Sequence, residues 1–325
     1  RLGAPAVEAV AIVADRVGDL EPVLITRHLQ FSLPYRALFS HTMRPDTVHR
    51  LIDALVVLIA RLHLLGFMWS DCSLSNTLFR RDAGAFAAYL VDAETGELHE
   101  QLSRGQRAQD LEVARINIAG ELMDLAAGGM LDPDIDPLVK SDVVVERYER
   151  LWEELTGWEA FDVNDRWRIA KRVERLNDLG FDVDELEILT DIGGRTVRAQ
   201  PKVVDAGHHN RRLLRLTGLD VEENQARRLL NDLDQYRAAT DQQAEDESVV
   251  AHEWLTQVYE PVVASIPREM RSSEPPAALV HEVLEHRWYL SEEAGKSIPL
   301  DAAARSYAKL KRDSHEDAVV PTPLG

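Results

Sequence analysis

Residues Trp69 to Phe79 read WSDCSLSNTLF: an aspartate, then an asparagine five residues on that opens a short apolar run. Asp, Ser and Asn bond their own nearby backbone, so taken alone the stretch is an Asx-type turn. Its surroundings give it more content. Upstream, Val48, Leu51, Ile52, Leu55, Leu58, Ile59, Leu62 and Leu65 recur at helical spacing. That stripe predicts a helix from Asp46, as N-cap, to Leu65, with Gly66 at the C′ position. Downstream, NTLFRR and FAAYLVD flank DAGA and predict a hairpin. Gly84 lies midway between Asn76 and Asp92. A hairpin centred there sets those two side chains opposite each other at its open end, about 4.5–5.5 Å apart.

An amide oxygen and a carboxylate at that distance can share a divalent cation. Magnesium suits the pair, because it takes oxygen ligands and is often held by one or two protein groups plus substrate phosphates. Asp71 lies on the loop leading into the same end. A carboxylate there can accept or orient a hydroxyl proton while the metal neutralises a transferring phosphoryl group. The spacing therefore nominates Asp71 as base and Asn76 with Asp92 as metal ligands.

The whole chain sets bounds on this reading. Its 325 residues are enough for two domains, and 45% hydrophobic with 29% charged residues is a globular composition. The apolar run LIDALVVLIARLHLLGF is broken by Asp53, Arg61 and His63, so no membrane span is expected. No signal peptide is evident, and a single cysteine, Cys72, suits a reducing cytoplasm. A formal net charge of −19 disfavours nucleic acid as a partner but leaves room for a nucleotide carried with its cation. The chain opens at Arg1 within a helix-to-strand junction, which suggests sequence upstream.

Val7 to Val13 and Val23 to Thr26 read as antiparallel strands, followed by a mixed connection, RHLQFSLPYRALFSHTMRP. After the central hairpin, helices are expected over Asp110–Ala126, Val143–Leu155 and Asn164–Leu179, the last stopped by Gly180. A second hairpin, DELEILTD and RTVRAQPKVV, turns around Gly193 and Gly194. Helices follow over Gly207–Leu216, Asp220–Ala238 (with a capping box Asp220-x-x-Glu223), Val249–Ser265, Ala277–Glu293 and Asp301–Lys311, then a disordered tail from about residue 313.

LHLLGFMWSDCSLSNTLF followed by AAYLVDAETGE resembles the catalytic and metal-binding loops of the protein-kinase-like superfamily, in particular its lipopolysaccharide (Kdo/heptose) kinase-like branch. The resemblance implies Asp71 as catalytic base, Asn76 as metal ligand and Asp92 as the aspartate opening the metal-binding triplet. His63 and Gly66 fit the LHxxG that ends the preceding helix. Arg27, His28 and Leu29 would form the hinge beside the adenine of ATP. RHLQFSLPYRALF, DCSLSNTLFRRDAGA, PKVVDAGHHNRRLLRLTGLDVEENQARRLLNDLD and HEVLEHRWYLSEEAG are similar to an actinobacterial family in which a kinase-like domain is joined to a C-terminal domain of unknown function. The expected fold is α+β. Residues 1–41 would be the remnant of a small lobe and hinge, its first strands upstream of the chain. Residues 42–180 would be the large lobe, and 181–325 a mostly helical C-terminal domain with one hairpin.

The chain departs from that pattern. Trp69 stands where such loops carry His or Tyr, and Asp92-Ala93-Glu94 replaces Asp-Phe-Gly, so Glu94 is an additional candidate ligand. A Gly-rich loop, and a strand lysine paired with a helix glutamate, would both precede Arg1. Two functions are thus carried forward. One is an ATP- and magnesium-dependent phosphotransferase acting on a hydroxyl of a small molecule, sugar or lipid head group. The alternative is an inactive kinase-like binding or scaffold protein that engages a protein partner through its C-terminal domain.

Other motifs read plainly. Cys72 has no paired His nearby in sequence and is an inert small residue. HEVLEH, His281 to His286, lacks the spacing of a zinc-protease motif and is two ordinary i,i+4 pairs. His208 and His209 open a helix backed by Arg211, Arg212 and Arg215; an anion could sit at that end, but a capped, solvated helix is simpler. Trp254, Trp288 and Tyr289 read as core or interface aromatics.

Overall fold

The computed structural model describes residues 4–14, 21–39, 45–83, 85–162, 165, 167–190, 196–294, 296 and 298–317. It comprises two compact units, Arg1–His208 and His209–Gly325. The architecture mixes helices with small antiparallel sheets, as an α+β chain should.

In the first unit, β1 (Ala9–Val13) and β2 (Val23–Thr26) form the expected antiparallel pair, Val13 opposite Val23. The connection that follows is more ordered than its sequence suggests. It holds β3 (Ser32–Pro34) and a short helix, α1 (Tyr35–Phe39). The long helix α2 (Pro45–Leu64) carries the predicted stripe. Leu51, Leu55, Leu58 and Leu62 on it are fully buried and form the spine of this unit's core. The side chain of Asp46, the expected cap, lies outside the described residues. Gly66 ends α2 at φ +76°, a left-handed conformation that costs glycine nothing. A side chain there would also collide with the carbonyl of His99, whose N–H donates to Gly66 O at 2.8 Å.

Beyond α2, β4 (Phe67–Met68) precedes the Asp71 loop, and β5 (Thr77–Asp82) pairs with β6 (Ala85–Leu90). The register corrects the sequence reading by one residue. Thr77 faces Leu90 and Asp82 faces Ala85, so the midpoint falls between residues 83 and 84, not on 84. Gly84 itself lies outside the described residues. Two residues between the strands give the commonest hairpin geometry, and Ala83 takes the positive φ, +48°, that such turns require. Asn76 is therefore level with Val91, whose N–H donates to Asn76 O at 3.1 Å, and Asp92 lies one residue past it. β3 completes this sheet in the order β3-β5-β6, and β7 (Glu97–Leu98) pairs with β4.

The sheet packs on α2, and two further helices follow, packed on each other, the second of them also on α2. The first, α3 (Arg104–Ala127), begins six residues before the expected Asp110, at a capping box in which Ser103 accepts from Gln106 N and the Gln106 side chain accepts from Ser103 N. The second, α4 (Pro137–Thr156), starts on the Asp136 cap with proline in its first turn. After β8 (Glu159–Asp162) and α5 (Trp167–Asp178), the second hairpin forms as β9 (Phe181–Thr190) and β10 (Thr196–Ala206). Its turn around Gly193 and Gly194 lies outside the described residues. β8 joins it in the order β8-β10-β9, and the sheet packs on α2, α4 and α5. This second hairpin lies within the first compact unit.

Arg172 of α5 is buried among carbonyls. Its guanidinium donates to Glu154 O at 2.7 Å and Gly157 O at 2.8 Å, satisfying acceptors left over at the C-terminus of α4.

The rest is helical: α6 (His208–Thr217), α7 (Glu223–Ala239), α8 (Glu247–Trp254), α9 (Glu260–Ser265), α10 (Arg268–Ser273), α11 (Pro276–Ala294) and α12 (Leu300–Asp317). The helix expected over Val249–Ser265 is interrupted by a π turn, Leu255–Tyr259, where Glu260 N reaches back to Leu255 O. Pro261 follows at once and supplies a local cause, since its ring cannot fit an unmodified α-helix. The second core joins Leu213, Leu229, Leu233, Trp254, Leu279 and Tyr307. Trp254 is fully buried with its N–H on Asp232 at 2.7 Å, whereas Tyr289 is exposed; the side chain of Trp288 is outside the described residues. α12 runs past Lys311, so residues 313–317 are helical and not tail; 318–325 lie outside the description.

The capping box expected at Asp220 does not form. α7 begins at Glu223, and Glu222 precedes it without a side-chain cap bond. The Glu223 carboxylate turns to α6 instead, accepting from His209 N at 2.7 Å and Asn210 N at 3.0 Å. The anion position at that helix start is filled by the chain's own glutamate, which the first-turn N–H groups of α6 draw away from α7.

Candidate functional site

The Asp71 loop is held chiefly through its backbone. Asp110, buried in α3, accepts from Trp69 N at 2.8 Å and Ser70 N at 2.7 Å. The same carboxylate takes His63 Nε2 of α2 at 2.9 Å, and His63 Nδ1 meets the Tyr148 hydroxyl of α4 at 2.6 Å. With Asp110 accepting, Nε2 carries a proton, and the Tyr148 hydroxyl, which can donate or accept, partners Nδ1. Burial pushes the Tyr148 hydroxyl far up, so it stays protonated. Two bonds to Asp110 hold the backbone that enters Ser70, which sits at φ +64°, a conformation non-glycine residues adopt only when held.

Farther along the same helix, Glu121 accepts from Leu74 N at 2.7 Å, Ser75 N at 2.9 Å and the Ser75 hydroxyl. Between the two acids, Asn117 donates from Nδ2 to Asp71 Oδ1 at 3.1 Å and to Cys72 O at 3.2 Å. Residues seven and eleven positions apart lie within about 40° of each other around an α-helix. Asp110, Asn117 and Glu121 therefore form one polar line on α3, facing successive parts of the loop.

Asp71 and Asn76 meet directly. Asn76 Nδ2 donates to Asp71 Oδ2 at 2.9 Å and to Asp71 O at 3.2 Å. Both oxygens of the half-buried Asp71 carboxylate thus receive an amide proton, one from each asparagine. Asp92 is exposed, and its loop is fastened to Trp69: the buried indole donates from Nε1 to Asp92 O at 2.9 Å, and Thr95 Oγ1 donates to Trp69 O at 2.9 Å. Asp92 Oδ1 accepts from Glu94 N at 3.1 Å. The structure thus joins Asp71 to Asn76 and ties the Asp92 loop alongside through Val91 and Trp69. Arg27 and His28 are exposed and Leu29 half-buried. Arg27 pairs with Glu8 at 2.7 Å, Leu29 O accepts from Ser32 Oγ at 2.8 Å, and among the described residues none of the three hydrogen-bonds to Asp71, Asn76 or Asp92. Nor do three or more His, Cys, Asp or Glu side chains gather into a metal-binding group among the described residues. Cys72 is buried and free, its thiol pushed well up by burial and then by Asp110, Glu121 and Asp71.

The sequence reading missed Asp110, Asn117 and Glu121. Their signal is present: polar residues at helical spacing within the same face as Ala114, Ile118 and Leu125, which are buried.

A family profile described as Domain of unknown function (DUF4032) matches residues 150–311. A solved structure titled "WaaP in complex with acyl carrier protein" is similar at 16% identity and a TM-score of 0.34, covering 55% of this chain and 70% of that one. No match is found among curated proteins.

Proposed function

We propose that the first unit is a kinase-like phosphotransferase that uses ATP and magnesium to phosphorylate a hydroxyl of a small molecule, sugar or lipid head group. The observation that carries this reading is the Asp71–Asn76 pair at 2.9 Å, on a loop clamped to α3 and laced to the Asp92 loop through Trp69. Because Asn76 spends its Nδ2 on Asp71, its amide oxygen is the atom left to a cation. Asn76 Oδ1 and the exposed Asp92 carboxylate are hard oxygen donors, as magnesium requires. Magnesium, when bound, would neutralise phosphoryl charge there. Asp71 would orient the acceptor hydroxyl and take its proton. Arg27, His28 and Leu29 would lie against the nucleotide base. A cytoplasmic setting, where ATP is available and the lone thiol stays reduced, belongs to the same reading.

A second reading, a kinase-like binding module without transfer that works through its C-terminal helices, is favoured by one feature. One Asp92 oxygen is already engaged by Glu94 N at 3.1 Å within its own loop.

Titration calorimetry of the full chain with ATP, with and without magnesium, tests the first reading. Asp92→Ala should abolish the magnesium-dependent part of the binding. Unchanged affinity in that variant would defeat it, and binding without turnover would select the second.

A further inference from the structure

The Asp71 carboxylate is held on both sides, and only one of the two holders lies in its own loop. Asn76 takes Oδ2; Asn117, on α3, takes Oδ1 at 3.1 Å and with the same nitrogen grips Cys72 O at 3.2 Å. A carboxylate with one partner can still turn about its last bond. Two amide donors on opposite oxygens fix its plane and leave the remaining lone pairs aimed in set directions. The second donor also bonds the adjoining carbonyl, so it sets backbone and side chain together.

The helix makes this precise. Asn117 lies between Asp110 and Glu121 on one line of α3, and both acids are locked onto loop N–H groups at 2.7–2.9 Å. Neither its height along the loop nor its rotation can drift while those bonds hold. Asparagine also suits the place better than the obvious alternatives. Aspartate would set a second negative charge against Asp71 Oδ1, and lysine or arginine would pair with the carboxylate as a cation and compete with an incoming proton. A neutral donor orients without doing either.

We infer that Asn117 is a positioning residue for Asp71: its side-chain amide, delivered from α3, fixes the carboxylate in the orientation it presents to an acceptor hydroxyl. This rests on the reading of Asp71 as the base, yet the contact itself can be tested without it.

The first measurement is the side-chain amide spectrum of the full chain labelled with ¹⁵N-asparagine. The Asn117 cross-peaks are those lost in Asn117→Ala, a substitution that adds no bulk and suits a helix. They should shift when Asp71→Ala removes the charged acceptor, and peaks that stay in place would overturn the inference. The second is turnover with magnesium-ATP as the probe. Asn117→Ala should lower kcat roughly tenfold to a hundredfold, as misplacement of a reacting group does, with KM for ATP within about twofold. In an Asp71→Asn background the same substitution should add nothing further. A loss confined to KM, or one that adds fully to that of Asp71→Asn, would overturn it. Absence of magnesium-dependent turnover in the parent protein would remove the proposed function, and the amide spectrum alone would then decide whether Asn117 holds Asp71.

Discussion

Asp110 offers the sharpest test of how the loop is held. It is 2% exposed and accepts three hydrogen bonds, from Trp69 N, Ser70 N and His63 Nε2, at 2.7–2.9 Å. Asp110→Ala leaves three buried donors without an acceptor. Each such donor costs about 1–3 kcal/mol, and water entering the vacated space recovers part of the sum. The net expectation is about 3–5 kcal/mol, as for breaking a buried polar pair by removing one partner. In a unit of this size each kcal/mol lowers the melting temperature by about 2–4 °C, so the first unit should melt roughly 10 °C earlier. Asp110→Asn sharpens the argument, because it keeps shape and volume. Its NH₂ group must face either Ser70 N–H or the Trp69 and His63 donors, so it too should destabilise, by less. Calorimetry of the full chain with both variants reads these differences. An Asp110→Ala protein melting within about 2 °C of the parent would refute the backbone clamp, as would an Asp110→Asn protein less stable than Asp110→Ala.

Two further expectations concern the supporting structure. Arg172→Met keeps length and apolar bulk but strips the donors from Glu154 O and Gly157 O; urea unfolding should register a loss of about 2–4 kcal/mol, and a neutral result would mean that water replaces the guanidinium. Burial raises the carboxyl pKa of Asp232 in the second unit, offset in part by the Trp254 N–H and the charge of Arg287. A carboxyl whose folded pKa is raised binds its proton more tightly in the native state, so its contribution is full below the unfolded value of 3.8 and is lost as pH rises through the folded value. Asp232→Asn should therefore raise the melting temperature near pH 7, with the gain shrinking towards pH 4; a gain that grows on acidification would reverse the sign.

The elements read best from sequence are those whose signal is local. α2 carries a continuous apolar stripe and a terminal glycine, and β9 with β10 carries branched residues on both sides of a glycine pair. The one-residue error in the central hairpin came from taking its glycine as the midpoint, whereas register follows the number of turn residues, with Ala83 absorbing the positive φ. β3 and β8, three and four residues long, owe their strand character to partners distant in sequence, which no local pattern announces. The site divides the same way. Asp71 and Asn76 could be paired by spacing, since both belong to one loop. Asp110, Asn117 and Glu121 could not, because they lie on another element and much of what they hold is main chain, whose N–H and C=O groups do not name their partners in a sequence.

That last point alters where kinship to this protein should be sought. The N–H groups that Asp110 and Glu121 grip are presented by any residue except proline, so this grip by itself does not specify the side chains of the loop. The letters of the loop are constrained instead by what its side chains do: Asp71 meets Asn76 and Asn117, Ser75 donates to Glu121, and Cys72 and Leu74 are buried. The matching fingerprint is on α3: an aspartate, an asparagine seven residues later and a glutamate four beyond that, set into an otherwise apolar helical face.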